Sequence, residues 1–224
     1  MKKIVLILFI QLFPLCCLAD GYIQANQSGV CGESCHWEVN NGTLTISGTG
    51  TMYDYSYSSG STNAPWYNMN SQITNIVIEK GITHIGVNAF LNTNALNVSL
   101  PNTLTSIGAS AFHNTKLTDV IVPSSVERVG YNAFANTPLQ NLTISDKTVF
   151  EQYEFNSSIG FLTGVDLNNL HIYCSGVSHK CDQNLTNGGY NLSTMQLQRK
   201  RIYTVEEAAR ISKKTGNTFK LRYK

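Results

Sequence analysis

The chain is poor in charge. Asp, Glu, Lys and Arg together supply 13% of its 224 residues, and Asn, Ser and Thr carry most of the surface polarity instead. Beyond the N-terminus it also lacks any apolar run long enough to cross a bilayer as a helix, which takes about 20 residues. The motifs of common chemistry are missing too. No G-x-S-x-G, H-E-x-x-H or P-loop occurs, so the signatures of serine hydrolases, zinc proteases and nucleotide hydrolases are excluded. The five histidines are scattered, and Ser178 beside His179 is adjacency rather than a triad. Glu151 and Glu154 lie together with no opposing carboxylate partner. The chain therefore reads as a non-enzyme without cofactor or metal. An apolar share of 42% is still compatible with a folded core of one or two domains.

Cysteine is scarce as well. Two of the six, Cys16 and Cys17, fall in an N-terminal leader: Lys2 and Lys3 precede an apolar stretch from Ile4 to Leu15, and Cys17-Leu18-Ala19 offers small residues for cleavage. This is the layout of a secretory signal peptide cut near Ala19. Leu15 and Cys16 fit a lipidation site poorly. Export to an oxidising compartment turns Cys31, Cys35, Cys174 and Cys181 into two disulfides. Three pairings are open, and the local ones, Cys31 with Cys35 and Cys174 with Cys181, are favoured because each closes a small ring. Zinc sites built with His36 or His179 would need spacings, C-x3-C-H and C-x4-H-x-C, that match no common zinc motif. Seven N-glycosylation sequons, at Asn26, Asn41, Asn97, Asn141, Asn156, Asn184 and Asn191, are only a weak excess in so Asn-rich a chain.

What the chain has in abundance is repetition. Ile85-Gly86-Val87-Asn88-Ala89-Phe90 returns as Ile107 to Phe112 and again as Val129 to Phe134, at a spacing of 22 residues. The apolar series Ile73/Ala95/Leu117/Leu139, Ile76/Val98/Val120/Leu142, Ile78/Leu100/Val122/Ile144 and Ile82/Leu104/Val126 keep the same register. A period in this range with L-x-x-V-x-I spacing marks a leucine-rich-type solenoid, mainly β, in which each coil turns alternate strand residues inward. The Gly of the Ile-Gly phrase marks a turn closed to side chains, the following Ala and Phe fill the core, and Pro101 and Pro123 block continuation of the strand. After Ile144 the period breaks: Glu151-Gln152 stands in the Ile-Gly place, and Leu167, Leu170 and Ile172 restore the strand 28 residues on from Leu139. Five coils result, the last irregular.

The expected organisation is a signal peptide (1–19), an N-terminal β cap (20–72), the repeats (73–173) and a disulfide-closed C-terminal cap with basic tail (174–224). In the cap, Asn40-Asn41-Gly42 between alternating runs predicts a hairpin, and Pro65-Trp66 packs onto the first repeat. Asp182 to Gln198 reads as linker. Thr204-Val205-Glu206-Glu207 is a capping box opening a helix to about Lys213, and Phe219, Leu221 and Tyr223 alternate as in a strand. Charge divides along the chain: residues 20–198 hold 5 Lys/Arg against 12 Asp/Glu, whereas 199–224 hold 9 against 2.

The phrases I-T-x-I-G-x-x-A-F, S-I-G-x-S-A-F and I-V-P-S-S-V-x-x-V-G-x-x-A-F resemble the BspA-like, Treponema pallidum-type leucine-rich repeats. Trp37 through Gly50, with Ala64-Pro65-Trp66-Tyr67 after it, resembles the segment that commonly precedes them. The resemblance implies a surface or secreted protein that adheres to host matrix, host cells or other microbes, through a surface protein or glycan. No nucleic-acid partner is expected. Geometry supplies a candidate concave face: Asn75, Asn97, Asp119 and Asn141 in one ladder and Val77, Ser99, Ile121 and Thr143 in the other, with equivalent residues about 4.8 Å apart. Tyr53, Tyr55, Tyr57 and Trp66 form a second, aromatic candidate. The alternative function is a structural envelope component, its basic tail 199–224 docked on acidic neighbours or an anionic envelope polymer.

Overall fold

A computed structural model describes residues 27–151, 160–167, 169–187 and 202–204. The expected signal peptide, Asn26, Glu154, Asn156, Asn191, the stretch 188–198, the helix after Thr204 and the Phe219–Leu221–Tyr223 alternation lie outside those residues.

The first unit is a three-stranded antiparallel ribbon of β1 (Gln27–Val30), β2 (Cys35–Asn40) and β3 (Thr43–Gly48). Its second turn closes through Asn41 (φ 48°) and Gly42 (φ 74°). Two consecutive left-handed residues are what a two-residue hairpin needs to match strand twist. Along β2, Cys35, Trp37 and Val39 point inward and their neighbours outward. The Cys31–Cys35 disulfide closes the turn between β1 and β2, with both cysteines buried. There follow β4 (Gly50–Thr51), a small ribbon of β5 (Tyr57–Ser58) and β6 (Ser61–Thr62), and a 3-10 turn over Tyr67–Met69.

Each coil then lays down two short strands. One set, β7 (Asn75–Ile78), β9 (Asn97–Ser99), β11 (Asp119–Ile121), β13 (Asn141–Ser145) and β15 (His171–Ser175), builds the first face. The other, β8 (Ile82–Ile85), β10 (Ser106–Ile107), β12 (Arg128–Val129) and β14 (Val149–Phe150), builds the second, in parallel register from β4 to β14. On the first face β3 pairs in parallel with β7, and β7 with β9. The ladder then stops and resumes from β11 through β13 and β15. Val98 and Leu100, the inward residues at this interruption, are only partly buried, unlike most of their equivalents.

The third side of each coil is a turn that stacks rather than pairs as strand. Trp66, Phe90, Phe112 and Phe134 form one column, with centroid spacings of 5.7, 5.2 and 5.3 Å. Backbone bonds tie the coils beside it: Phe90 N donates to Ala111 O and Phe112 N to Ala133 O, both at 2.8 Å. The turning is done by residues outside the Ile-Gly pair. Asn88, Ser110 and Asn132 hold φ near 55°, as do Asn114 and Asn136, with Asn92 at 63°. Asn tolerates that region better than most side chains. The glycine has a different task. A Cβ on Gly108 would lie 2.6 Å from Val87 N, and one on Gly130 2.5 Å from Ala109 N. The position is closed because the previous coil's backbone occupies it.

The N-terminal unit seals this stack by imitating a coil. The carbonyls of Val87, Ala89 and Leu91 are the equivalents of those that accept backbone bonds one coil later. Here Val87 O takes Tyr55 N (2.9 Å), Ala89 O takes the Trp66 indole N–H (2.7 Å) and Leu91 O takes the Asn70 amide (2.9 Å).

At the other end the structure departs from the sequence reading. Phe150, not Glu151, occupies the Ile place, since Val129 pairs with Phe150. Glu151 then falls where the glycine stood, its N–H on Val129 O. Leu142 pairs with Ile172 and Ile144 with Cys174, so the inward pair of β15 is Ile172 and Cys174 rather than Leu170 and Ile172. A slip of two residues preserves the inward/outward alternation, which is why L-x-x-L-x-I looked in phase. The expected linker is also corrected at its start: α1 (Ser178–Asn187) is helical, with Cys181 and Leu185 buried against the core. The Cys174–Cys181 disulfide therefore joins β15 to α1. Finally β16 (Ile202–Thr204), inside the supposed tail, adds a parallel rung beside β15.

Candidate binding face

On the first face the outward residues divide sharply. Asn75 and Val77 are half-buried, whereas Asn97, Ser99, Asp119 and Ile121 are exposed. Asn141 is half-buried and Thr143 is only 9% exposed. Thr143 is a correction to the ladder. It sits beside Tyr173, whose hydroxyl reaches back along the face to Asn141 Oδ1 (3.3 Å), so the phenol ring shields it. The accessible part of the expected ladder is thus its middle, two rungs wide, and it carries Ile121 at 49% exposure.

Side-chain hydrogen bonds run along the same face. Asn97 Nδ2 donates to Asn75 Oδ1 (3.0 Å), and Asn141 Nδ2 donates to Asp119 Oδ1 (2.6 Å). Thr118 Oγ1 donates to Asp119 Oδ2 at 2.7 Å. No side-chain bond joins Asn97 to Asp119, the step at which the backbone ladder is also interrupted.

The second face holds a track the sequence reading missed. His84 Nδ1 lies 2.7 Å from Ser106 Oγ, and His84 Nε2 lies 3.6 Å from Asp54 Oδ1. Arg128, next in the row, pairs with Glu151 through Nε (3.0 Å) and Nη2 (2.6 Å), and the bond to Glu151 raises its pKa further. The signal was available: His84, Ser106 and Arg128 each precede an Ile/Val-Gly pair, 22 residues apart. Near Ser106, Thr105 N donates to Thr83 O and Gly108 N to Ile85 O, both at 2.8 Å. Beside the row, an open groove of about 470 Å³ is lined by Glu127, Arg128, Lys147, Val149 and Glu151.

The aromatic candidate separates into two halves. Trp66 and Tyr55 are core, edge-on to each other at 5.4 Å, and burial pushes the Tyr55 phenol well above its ordinary pKa, with Tyr53 adding to the shift. Tyr53 and Tyr57 are exposed. On the turn side, burial lowers the pKa of His113, and its Nε2 lies 3.0 Å from Asn136 Nδ2. An amide N–H facing that nitrogen requires it unprotonated. Among the described residues no cluster of three or more His, Cys, Asp or Glu could hold a metal ion, and no helix is long and apolar enough to cross a membrane.

Comparison with known proteins fits this geometry. The profile of the BspA type leucine-rich repeat region matches residues 64–178, in six copies. The chain belongs to the BspA-type leucine-rich repeat family. The crystal structure of a leucine-rich repeat protein from Eubacterium ventriosum ATCC 27560 is similar, with 25% identity and a TM-score of 0.51 over 68% of this chain. This BspA-type chain spans 45% of the length of that protein. No curated protein matches it. Membership of the family supports binding and recognition of other proteins as the general role.

Proposed function

We propose that this BspA-type chain is an exported, non-enzymatic recognition protein, with its leader cut near Ala19. It adheres to a surface protein or glycan of a host or another microbe through the first face of its solenoid. The observation that carries the reading is the exposed block Asn97, Ser99, Asp119 and Ile121, fixed on a stack whose core is continuous beneath it. Acceptors beside solvent-exposed aliphatic groups on a rigid support suit a partner's surface, because little ordering is required on binding.

The second reading, an envelope component held by its basic tail, keeps one observation in its favour: the concentration of Lys and Arg after residue 198. The two separate in one experiment. A deletion starting at residue 199 would strip β16 from the sheet, so the truncated chain must end at Thr204. Binding to host cells and to producing cells is then measured across a salt series. The adhesion reading expects host-cell binding that survives truncation but is lost on replacing Asp119 and Ile121 by Ala. Salt-sensitive binding to producing cells, lost on truncation and indifferent to Asp119 and Ile121, would overturn it in favour of the envelope role.

A further inference from the structure

We infer that the step between Asn97 and Asp119 receives a lysine or arginine side chain of a protein partner. This rests on the adhesion reading and names the chemistry its face accepts.

The argument begins with the direction of the ladder. Each amide donates toward the N-terminal rung, Asn97 to Asn75 and Asn141 to Asp119. Asp119, an ionised acid, has no proton to pass on to Asn97. Its carboxylate accepts from Asn141 and Thr118, and a carboxylate offers about four acceptor sites. Here, therefore, a side-chain carbonyl and a carboxylate sit one rung apart with no donor between them. The surroundings are consistent with an inserted side chain. The backbone ladder between β9 and β11 is interrupted at this step, and Val98 and Leu100 behind it are incompletely buried. Exposed Ile121 lies two residues along β11 from Asp119. A Lys or Arg stem is aliphatic and its head is all donor, so the stem covers Ile121 while the head fills the missing donor position. The negative balance of residues 20–198 favours the same sign of partner.

The test uses the full chain, isotopically labelled, titrated with a capped pentapeptide that carries one lysine between two isoleucines. The same peptide with acetyl-lysine is the control, and chemical shifts are read at Asn97–Ser99 and Asp119–Ile121. Saturable shifts centred on both strands are expected, weakened about tenfold or more by lysine acetylation or by Asp119→Asn. Asp119→Asn restores a donor at the step and keeps the shape of the side chain, so the fold is retained, and Arg128→Gln on the other face leaves binding unchanged. Equal binding of the two peptides, or undiminished binding to the Asp119→Asn chain, overturns the inference. So does a response only to a peptide of residues 205–224, which would make a second copy the occupant. If host-cell binding is lost in the Asp119/Ile121 alanine variant yet kept with Asp119→Asn, the adhesive face stands and the cation falls.

Discussion

The two faces of the solenoid stand on one core and obey the same alternation, yet they leave different chemistry where outward pairing lapses. On the second, His84 pairs with Ser106, Arg128 with Glu151 and Thr105 Oγ1 with Thr83 O, and the step without a side-chain bond, Ser106 to Arg128, sets a hydroxyl beside a guanidinium already paired with Glu151. On the first, pairing likewise holds at both ends and lapses between Asn97 and Asp119, where the groups that meet are acceptors without a donor. The difference shows that a regular support does not make a surface uniform. Inward residues are constrained by the coil above and the coil below, whereas outward residues are constrained only by each other. Where that mutual pairing lapses, capacity remains for something else.

The comparison breaks altogether if the shared core is removed. Phe112 lies inside the aromatic column, fully buried, and its replacement by Ala is expected to cost about 3–5 kcal/mol. Denaturant unfolding with amide exchange as the readout should show both faces losing protection together. Loss from one face alone would mean that they are energetically separate. Gly108→Ala is a more local disruption. Its Cβ meets the backbone of the previous coil, 2.6 Å from Val87 N and 2.8 Å from Gly86 C. A cost of about 1–3 kcal/mol is expected, with the His84–Ser106 contact disturbed, in NMR shifts, more than the rungs of the first face.

Acid probes the side that serves neither face. Burial places the folded-state pKa of His113 below its ordinary 6.5. Its contribution is therefore complete above that value and declines as pH falls through the unfolded and then the folded pKa. Stability measured from pH 7 to 5 should drop, and His113→Gln should flatten that slope. The smallest expected effects lie on the surface. Asp119→Asn should remain within about 0.5 kcal/mol of the parent in chemical denaturation. Arg128→Gln should leave the melting temperature unchanged, because an exposed pair contributes little.

The repeating core was legible in the sequence because burial acts on every coil alike: Ile76, Val120 and Leu142 announce themselves by type and interval. The Trp66 contact with the first repeat was legible for a similar reason, an apolar ring needing a partner. The last coil was not, because its strand slips by two residues, and a period of two cannot report that slip. Nor was α1, where Cys181 and Leu185 are the buried residues in a polar stretch that carries no strong helical stripe. The middle of the binding face could be placed by register alone, but the shielding of Thr143 by Tyr173 depends on a side-chain direction. The missing donor beside Asp119 emerges only when each amide's partner is known. The His84–Ser106–Arg128 row was readable as the residue before each Ile/Val-Gly pair, but which of its members bond one another depends on side-chain direction, which spacing does not report.

The most direct test of the account obstructs one face at a time. Ser99→Cys and Thr105→Cys place a single reactive thiol on the first and second faces respectively, both at exposed positions. Each is coupled to a polyethylene-glycol maleimide and assayed for binding to host cells. The account predicts that the bulky group at residue 99 abolishes binding while the same group at residue 105 leaves it intact. Binding blocked from residue 105 and retained at residue 99 would contradict it.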